Sequence, residues 1–166
     1  MLRRYSVYLV DNNNNITLRE ITRDNFEECC DLEVSKDQQE FVSSNVFSLA
    51  ESKFFPEFVP IAIYAGEMMV GFLMYGRDDL DGELVWTLLR LMVDQQYQGK
   101  GYGRAALELF IEQMRLKPDC KALHATVMPG NDIAQSLYAS LGFEELGDVE
   151  DGELVLRFRN LERRRT

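Results

Sequence analysis

Apolar and polar positions change period several times along the chain, and each change marks an element. Ile16 and Leu18 alternate with polar neighbours as far as Glu20, the period of a half-buried strand. Thr22 or Asp24 can then cap a helix on which Phe26, Cys29, Cys30 and Leu32 recur at helical spacing. A second short helix is expected over Asn45–Lys53, and Pro56 and Pro60 enforce a loop after it. Ile61–Ala65 and Met68–Tyr75 are apolar runs separated by Gly66-Glu67, which predicts an antiparallel hairpin. Arg77–Glu83 reads as a charged connection, and Leu84–Val93 is apolar enough for the middle of a sheet. Leu107, Phe110, Ile111 and Met114 fall at i, i+3, i+4 and i+7, an amphipathic helix that ends before Pro118. Ala122–Val127 predicts another strand, Asn131 to Leu141 a helix stopped by Gly142, and Glu153–Arg159 a closing strand.

The order β-α-α-β-β-β-α-β-α-β predicts one mixed α/β sheet with helices on both faces, with neither repeat nor linker. Residues 1–15 end in Asp11 and Asn12 to Asn15, a run that favours a turn, preceded by an edge strand over Ser6–Val10 or a loose extension. The domain is expected over residues 16–160, followed by a solvated basic tail, 161–166, that carries Arg163, Arg164 and Arg165.

A chain of 166 residues buries enough surface to need no disulfide or metal staple. No apolar stretch approaches the ~20 residues of a membrane span, and Met1–Val10 lacks the apolar run and cleavage site of a leader, so a cytoplasmic chain is expected. The net charge of −10 argues against broad contact with nucleic acid or an anionic membrane and suits a small cationic partner. Residues 20–83 concentrate it, with 15 acids against 4 bases. Cys29, Cys30 and Cys120 match neither a disulfide framework nor a metal-ligand spacing, so no metal is expected. His124, in a predicted strand, reads as a packed or surface residue rather than as half of a Cys/His hydrolase.

The segment that carries chemistry is Tyr97-Gln98-Gly99-Lys100-Gly101-Tyr102-Gly103-Arg104, between a buried strand and an amphipathic helix. Alternating glycines let the backbone curl so that successive N–H groups converge, and the helix adds the positive end of its dipole. Such a cradle takes a phosphate or pyrophosphate. Gly101 to Ala106 also satisfies a dinucleotide fingerprint, but the next strand ends in Val127-Met128-Pro129 without the ribose-binding acid, and the preceding strands are antiparallel. A Walker-type loop is excluded for want of Gly-Lys-Ser/Thr.

Gln98-Gly99-Lys100-Gly101-Tyr102-Gly103 has the form Q/R-x-x-G-x-G/A, and downstream stand Asn131, Ala134, Leu137, Tyr138, Gly142 and Phe143 in N-D-I-A-Q-S-L-Y-A-S-L-G-F. On these two motifs the chain resembles the GCN5-related N-acetyltransferases from roughly Ile16 to Arg159. The resemblance implies a mostly antiparallel sheet with one splayed parallel pair, and acetyl-CoA as donor. It places the pyrophosphate on Gln98, Gly99, Lys100, Gly101, Tyr102, Gly103 and Arg104, and the pantetheine along the backbone of Leu91, Met92 and Val93. Asn131, Ala134 and Tyr138 share a helical face toward the donor, and a neutral Tyr138 phenol suits proton donation to the departing thiolate. The acid that polyamine-type members carry on the central strand is Leu89 here, which leaves the base open among Glu33, Glu83 and a water held by backbone carbonyls.

A finer resemblance, to the bacterial spermine/spermidine acetyltransferases, rests on Val34-Ser35, Gln38, Phe41-Val42 and Ser44, on Val70-Gly71-Phe72 with Met74-Tyr75-Gly76, and on Arg90. It implies a polyamine acceptor contacted by Glu33, Asp37, Gln38, Glu40, Phe41 and Tyr75. Glu33, Asp37 and Glu40 are spaced to share one helix face that a cation would occupy. Two other readings stay open: acetylation of a protein N-terminus or lysine, and a non-catalytic module that only binds acetyl-CoA. Dimers are frequent in the resembled family, which leaves a homodimer open.

Overall fold

The computed structural model describes residues 10, 11, 15–159 and 161. Most of the edge strand expected over Ser6–Val10, and the expected tail 161–166 apart from Leu161, lie outside them; Leu161 is not solvated but buried in the main core. The first part of the sheet is built from neighbours in sequence: β1 (Val10–Asp11), β2 (Ile16–Glu20), β3 (Val59–Ala65), β4 (Met68–Leu80) and β5 (Glu83–Val93), each antiparallel to the next. The charged stretch Arg77–Glu83, expected to be a connection, is strand up to Leu80 and again from Glu83. Its whole turn is Asp81-Gly82, where φ values of 53° and 84° give the two left-handed residues of a tight hairpin.

From β5 the chain crosses over through α3 (Tyr102–Arg115) to β6 (Leu123–Val127), the parallel neighbour of β5. After α4 (Asp132–Leu141), β7 (Phe143–Glu150) forms the outer edge and β8 (Glu153–Phe158) returns between β6 and β7. The described sheet therefore has eight strands in the order β1-β2-β3-β4-β5-β6-β8-β7. β7 adds a strand to the order read from sequence.

Both faces are covered. α3 lays Leu107, Phe110, Ile111 and Met114 against Ile16, Ile63, Leu73 and Leu88, and Tyr138 of α4 joins the same cluster. Full burial of each of those helix side chains contributes about 1.5–3 kcal/mol. The opposite face carries α1 (Phe26–Asp31) and α2 (Asn45–Phe54), over Phe72, Met74 and Met92 with Cys29 among them. Local caps follow the sequence for α2 and α4, where Ser44 Oγ accepts from Phe47 N and Asn131 Oδ1 from Ala134 N. α1 differs: its N-cap is Asn25, and its Oδ1 accepts from the Thr22 N–H at 2.7 Å instead of a Thr22 or Asp24 side chain capping the helix.

The larger correction concerns the segment after α1. Glu33, Asp37 and Glu40 do not share a helix face, because α1 ends at Asp31 and only a 3-10 turn, Lys36–Gln38, follows before α2. A tertiary tether overrides the local spacing. Leu32 is extended (φ −70°, ψ 130°), the Glu33 N–H donates to Asp94 Oδ2 at 2.9 Å, and the Glu33 carbonyl accepts from Gln95 N at 2.8 Å.

Candidate active site

The parallel ladder between β5 and β6 stops at Leu88↔Ala125, so beyond it the two strands diverge. On its other side β5 bulges: β4 pairs Tyr75 with Leu88 and Met74 with Arg90, which leaves Leu89 without a partner. The wedge between the splayed strands floors a cleft of about 680 Å³, within the usual size of a small-molecule site. Leu91, Met92 and Val93 line it from β5, and Thr126, Val127 and Met128 from β6 and the residue after it.

The glycine loop closes one end. Gly99 (φ 76°) and Gly101 (φ 81°) hold left-handed backbone, and Gly101 is the N-cap of α3 with no side-chain hydrogen bond to the helix. The N–H groups of the first turn therefore face the cleft at the positive end of the helix. Gly103 differs from the other two: it lies inside α3, and an added Cβ would meet Val93 Cγ2 at 3.5 Å and Leu137 Cδ2 at 4.0 Å, ordinary contact. Gln98 pins the loop, its Nε2 donating to the Val93 carbonyl at 2.9 Å and to Gln38 Oε1 at 2.8 Å. Gln98, Gly99, Gly101, Tyr102, Gly103 and Arg104 all line the cleft. Lys100 does not; its ammonium lies 5.5 Å from the centroid of the Tyr97 ring.

α4 forms the opposite wall with Asn131, Ala134 and Tyr138. Tyr138 is 5% exposed, sits edge-on to Phe143 at 5.2 Å, and has no hydrogen-bond partner for its hydroxyl among the described residues. Burial, foremost, and the Glu153 carboxylate push its ionisation above the ordinary phenol value, so the group is a proton donor at neutral pH.

The third wall is the loop 38–43, from which Gln38, Glu40 and Phe41 line the cleft. Glu33 and Asp37 lie outside it. Tyr75 also lies outside: it points to the α3 face, 5.0 Å from the Phe110 ring, because the strand register assigns it to the main core. Of the candidate bases, Glu33 is tethered by its backbone to the Asp94 loop, and Glu83 is an exposed residue beside the Asp81-Gly82 turn. Neither lines the cleft.

Two residues of the site, Glu153 and Asp94, escaped the reading from sequence, and Arg90 entered it without a place in the cleft. Glu153, at the start of β8, reaches the cleft because β8 inserts beside β6, a non-local pairing with no local signal. Arg90 also lines it, ion-paired with Glu51 at 3.5 Å and donating to the Leu89 carbonyl at 2.8 Å. Asp94 is 4% exposed and accepts from the Glu33 and Gln96 N–H groups, each at 2.9 Å; its position at the first polar residue after an apolar run was the available signal. The hairpins β4–β5 and β7–β8 also bring Asp78 and Asp151 into each other's field.

A curled amide cradle, a strand edge without a neighbour and a buried phenol together suit a long donor with an anionic head and an amide-bearing tail. Comparison with known proteins agrees. The profile of the acetyltransferase (GNAT) family matches residues 16–143. The spermine/spermidine N(1)-acetyltransferase of Bacillus subtilis (strain 168) is 32% identical over 148 residues, 85% of this chain and 96% of that protein. The [ribosomal protein bS18]-alanine N-acetyltransferase of Escherichia coli (strain K12) is 42% identical over 59 residues, 36% of this chain and 39% of that one. Among solved structures, a PaiA N-acetyltransferase from Thermoplasma acidophilum in complex with coenzyme A superposes with a TM-score of 0.60 at 17% identity, covering 87% of this chain and 98% of the other. No described helix is long and apolar enough to cross a membrane. With a family profile over most of its length and a relative aligned almost end to end, the chain belongs to the acetyltransferase (GNAT) family and is an N-acetyltransferase.

Proposed function

We propose that the chain transfers the acetyl group of acetyl-CoA directly to a primary amine of a polyamine such as spermidine or spermine. The observation that carries this reading is the 32% identity to a spermine/spermidine acetyltransferase over 85% of the chain, which spans both walls of the cleft. The donor fits the residues present. Gly99 and Gly101 leave the amides at the start of α3 open to a pyrophosphate, where a side chain on left-handed backbone would be strained. The β5 edge beyond Leu88 has no β6 partner and offers its amides to an extended pantetheine. Ala134 is small enough for close approach, and Asn131 is committed to capping α4. Tyr138 supplies the proton that the departing thiolate requires.

Charge supports a cationic acceptor. Glu40 and Glu153 line the cleft, and the two arginines that also line it are already paired, Arg90 with Glu51 and Arg104 with Glu108. A low-dielectric cleft bearing one sign of charge concentrates the opposite sign. The test is an acceptor screen at two ionic strengths. The kcat/KM for spermidine should exceed that for a monoamine with an uncharged tail, and the advantage should narrow as salt shortens the screening length to below about 8 Å. Efficient acetylation of peptide amines with spermine and spermidine ignored would overturn the polyamine assignment.

A further inference from the structure

A base must free the amine, and the lining of the cleft narrows the choice. An alkyl ammonium has an ordinary pKa near 10, so about one amine in a thousand is neutral at pH 7, and a proton must leave before attack. The acid and the base have to face the same reacting carbon. Leu89 stands at the bulge on the central strand and cannot take a proton. Only two carboxylates line the cleft among the described residues, Glu40 on the 38–43 loop and Glu153 on β8. Of these, Glu153 is the one whose charge acts on Tyr138.

We propose that Glu153 is the general base: it takes the proton of the incoming ammonium beside Tyr138, the proton donor to sulfur. The inference rests on the acetyl-transfer reading but not on which amine is used. The other charged and titratable groups facing the cleft are occupied elsewhere or belong to the donor end. Arg90 of β5 is paired with Glu51, and Arg104 of α3 is bonded to Glu108 and Ser140. Tyr97 and Tyr102 flank the glycine loop, and Glu40 stands on the 38–43 loop, on a different element from Tyr138 and Glu153. Glu153 itself has no hydrogen-bond or ion-pair partner among the described residues.

The protons balance. Glu153 accepts one proton from the ammonium, and the freed lone pair forms the C–N bond to the acetyl carbon. The C–S bond breaks with its electron pair on sulfur, which receives the Tyr138 proton. The second proton lost by nitrogen restores the Tyr138 phenol, and Glu153 releases its own to solvent. Ammonium and thioester become amide, thiol and one proton.

The test is the pH dependence of Glu153→Gln on the best acceptor found in the wild-type screen. That screen alone decides the polyamine reading; the ratio of variant to wild type decides this one. At pH 7 kcat/KM should fall about 10²–10³-fold, the scale of a lost general base. The deficit should then shrink by about tenfold for each pH unit toward pH 10, because the variant can use only amine that is already neutral. Unchanged affinity for CoA by calorimetry shows that the variant is folded, and Glu153→Asp should recover part of kcat together with the flatter wild-type profile. A deficit constant across pH, a loss confined to the KM of the amine, or a converging profile for Glu40→Gln in place of Glu153→Gln would each overturn the proposal.

Discussion

Two glycines of one motif should respond in opposite directions to the same substitution. Gly101 holds φ 81° at the N-cap of α3, a conformation that costs an L-residue about 1–2 kcal/mol. Gly103, two residues on, is helical, and a methyl there meets only Val93 and Leu137 at ordinary contact distance. At such a site Gly→Ala adds about 0.4–1 kcal/mol by restricting the unfolded chain. With an unfolding entropy of about 2.1 cal/mol/K per residue, this chain changes Tm by about 3 °C per kcal/mol. Gly101→Ala should therefore lower Tm by about 3–6 °C, and Gly103→Ala should raise it by about 1–3 °C, both read by scanning calorimetry. Gly101→Ala should also weaken CoA by about tenfold or more, because the added methyl and the shifted backbone spoil the convergence of the amides. Acetyl-pantetheine, which lacks the pyrophosphate, should be used equally well by Gly101→Ala and the parent. Tm shifts of the same sign for the two variants would refute the assignment of strain. An unchanged CoA affinity in Gly101→Ala would refute the cradle.

Tyr138→Phe should lower kcat by roughly 10² while CoA affinity holds, and near-normal turnover would reduce Tyr138 to packing against Phe143. His124 is buried, and burial, foremost, with the Arg157 charge lowers its pKa from 6.5, so the unfolded chain binds its proton first as pH falls. Its contribution to stability is accordingly neutral above pH 6.5 and is lost progressively below it; His124→Phe should flatten the Tm–pH curve in that window, and parallel curves would disprove the linkage.

The elements that could be read from the chain are those in which a local cause suffices. Ser44 and Asn131 cap their helices, Gly142 stops α4 at φ 98°, and the spacing of Leu107 to Met114 makes α3 amphipathic. The failures have non-local causes. Val70 to Tyr75 is apolar at every position, so periodicity could not say that Tyr75 faces α3; the bulge at Leu89 and the register of β4 on β5 decide it. Glu33, Asp37 and Glu40 have helical spacing, but Asp94, 61 residues from Glu33, draws that segment out as an extended tether. β7 was hidden because Glu144, Glu145 and Asp148 break the alternation and its pairing to β8 slips between Glu145 and Val149. Asp81-Gly82 carried a recognisable turn signal that the surrounding charges obscured. For the site, the donor end was legible because amide cradles need glycine. At the other end Gln38, Glu40 and Phe41 could be named from the chain, whereas Glu153 reaches the cleft only after β8 has paired with β6.

Gln98 and Asp94 fasten the two ends of the cleft to one another. Gln98 bonds Gln38 on the 38–43 wall while holding the Val93 carbonyl, and Asp94 grips the backbone of Glu33 from the end of β5, just before the glycine loop. A displacement of the 33–43 segment is thereby transmitted to the glycine loop at the other end of the cleft, and the reverse. Changing the acceptor preference of this chain is for that reason not a local edit: substitutions that reshape residues 38–43 should select, in the same lineage, compensating changes at Gln98 or Asp94, and an engineered wall grafted without them should lose donor affinity before it gains a new acceptor.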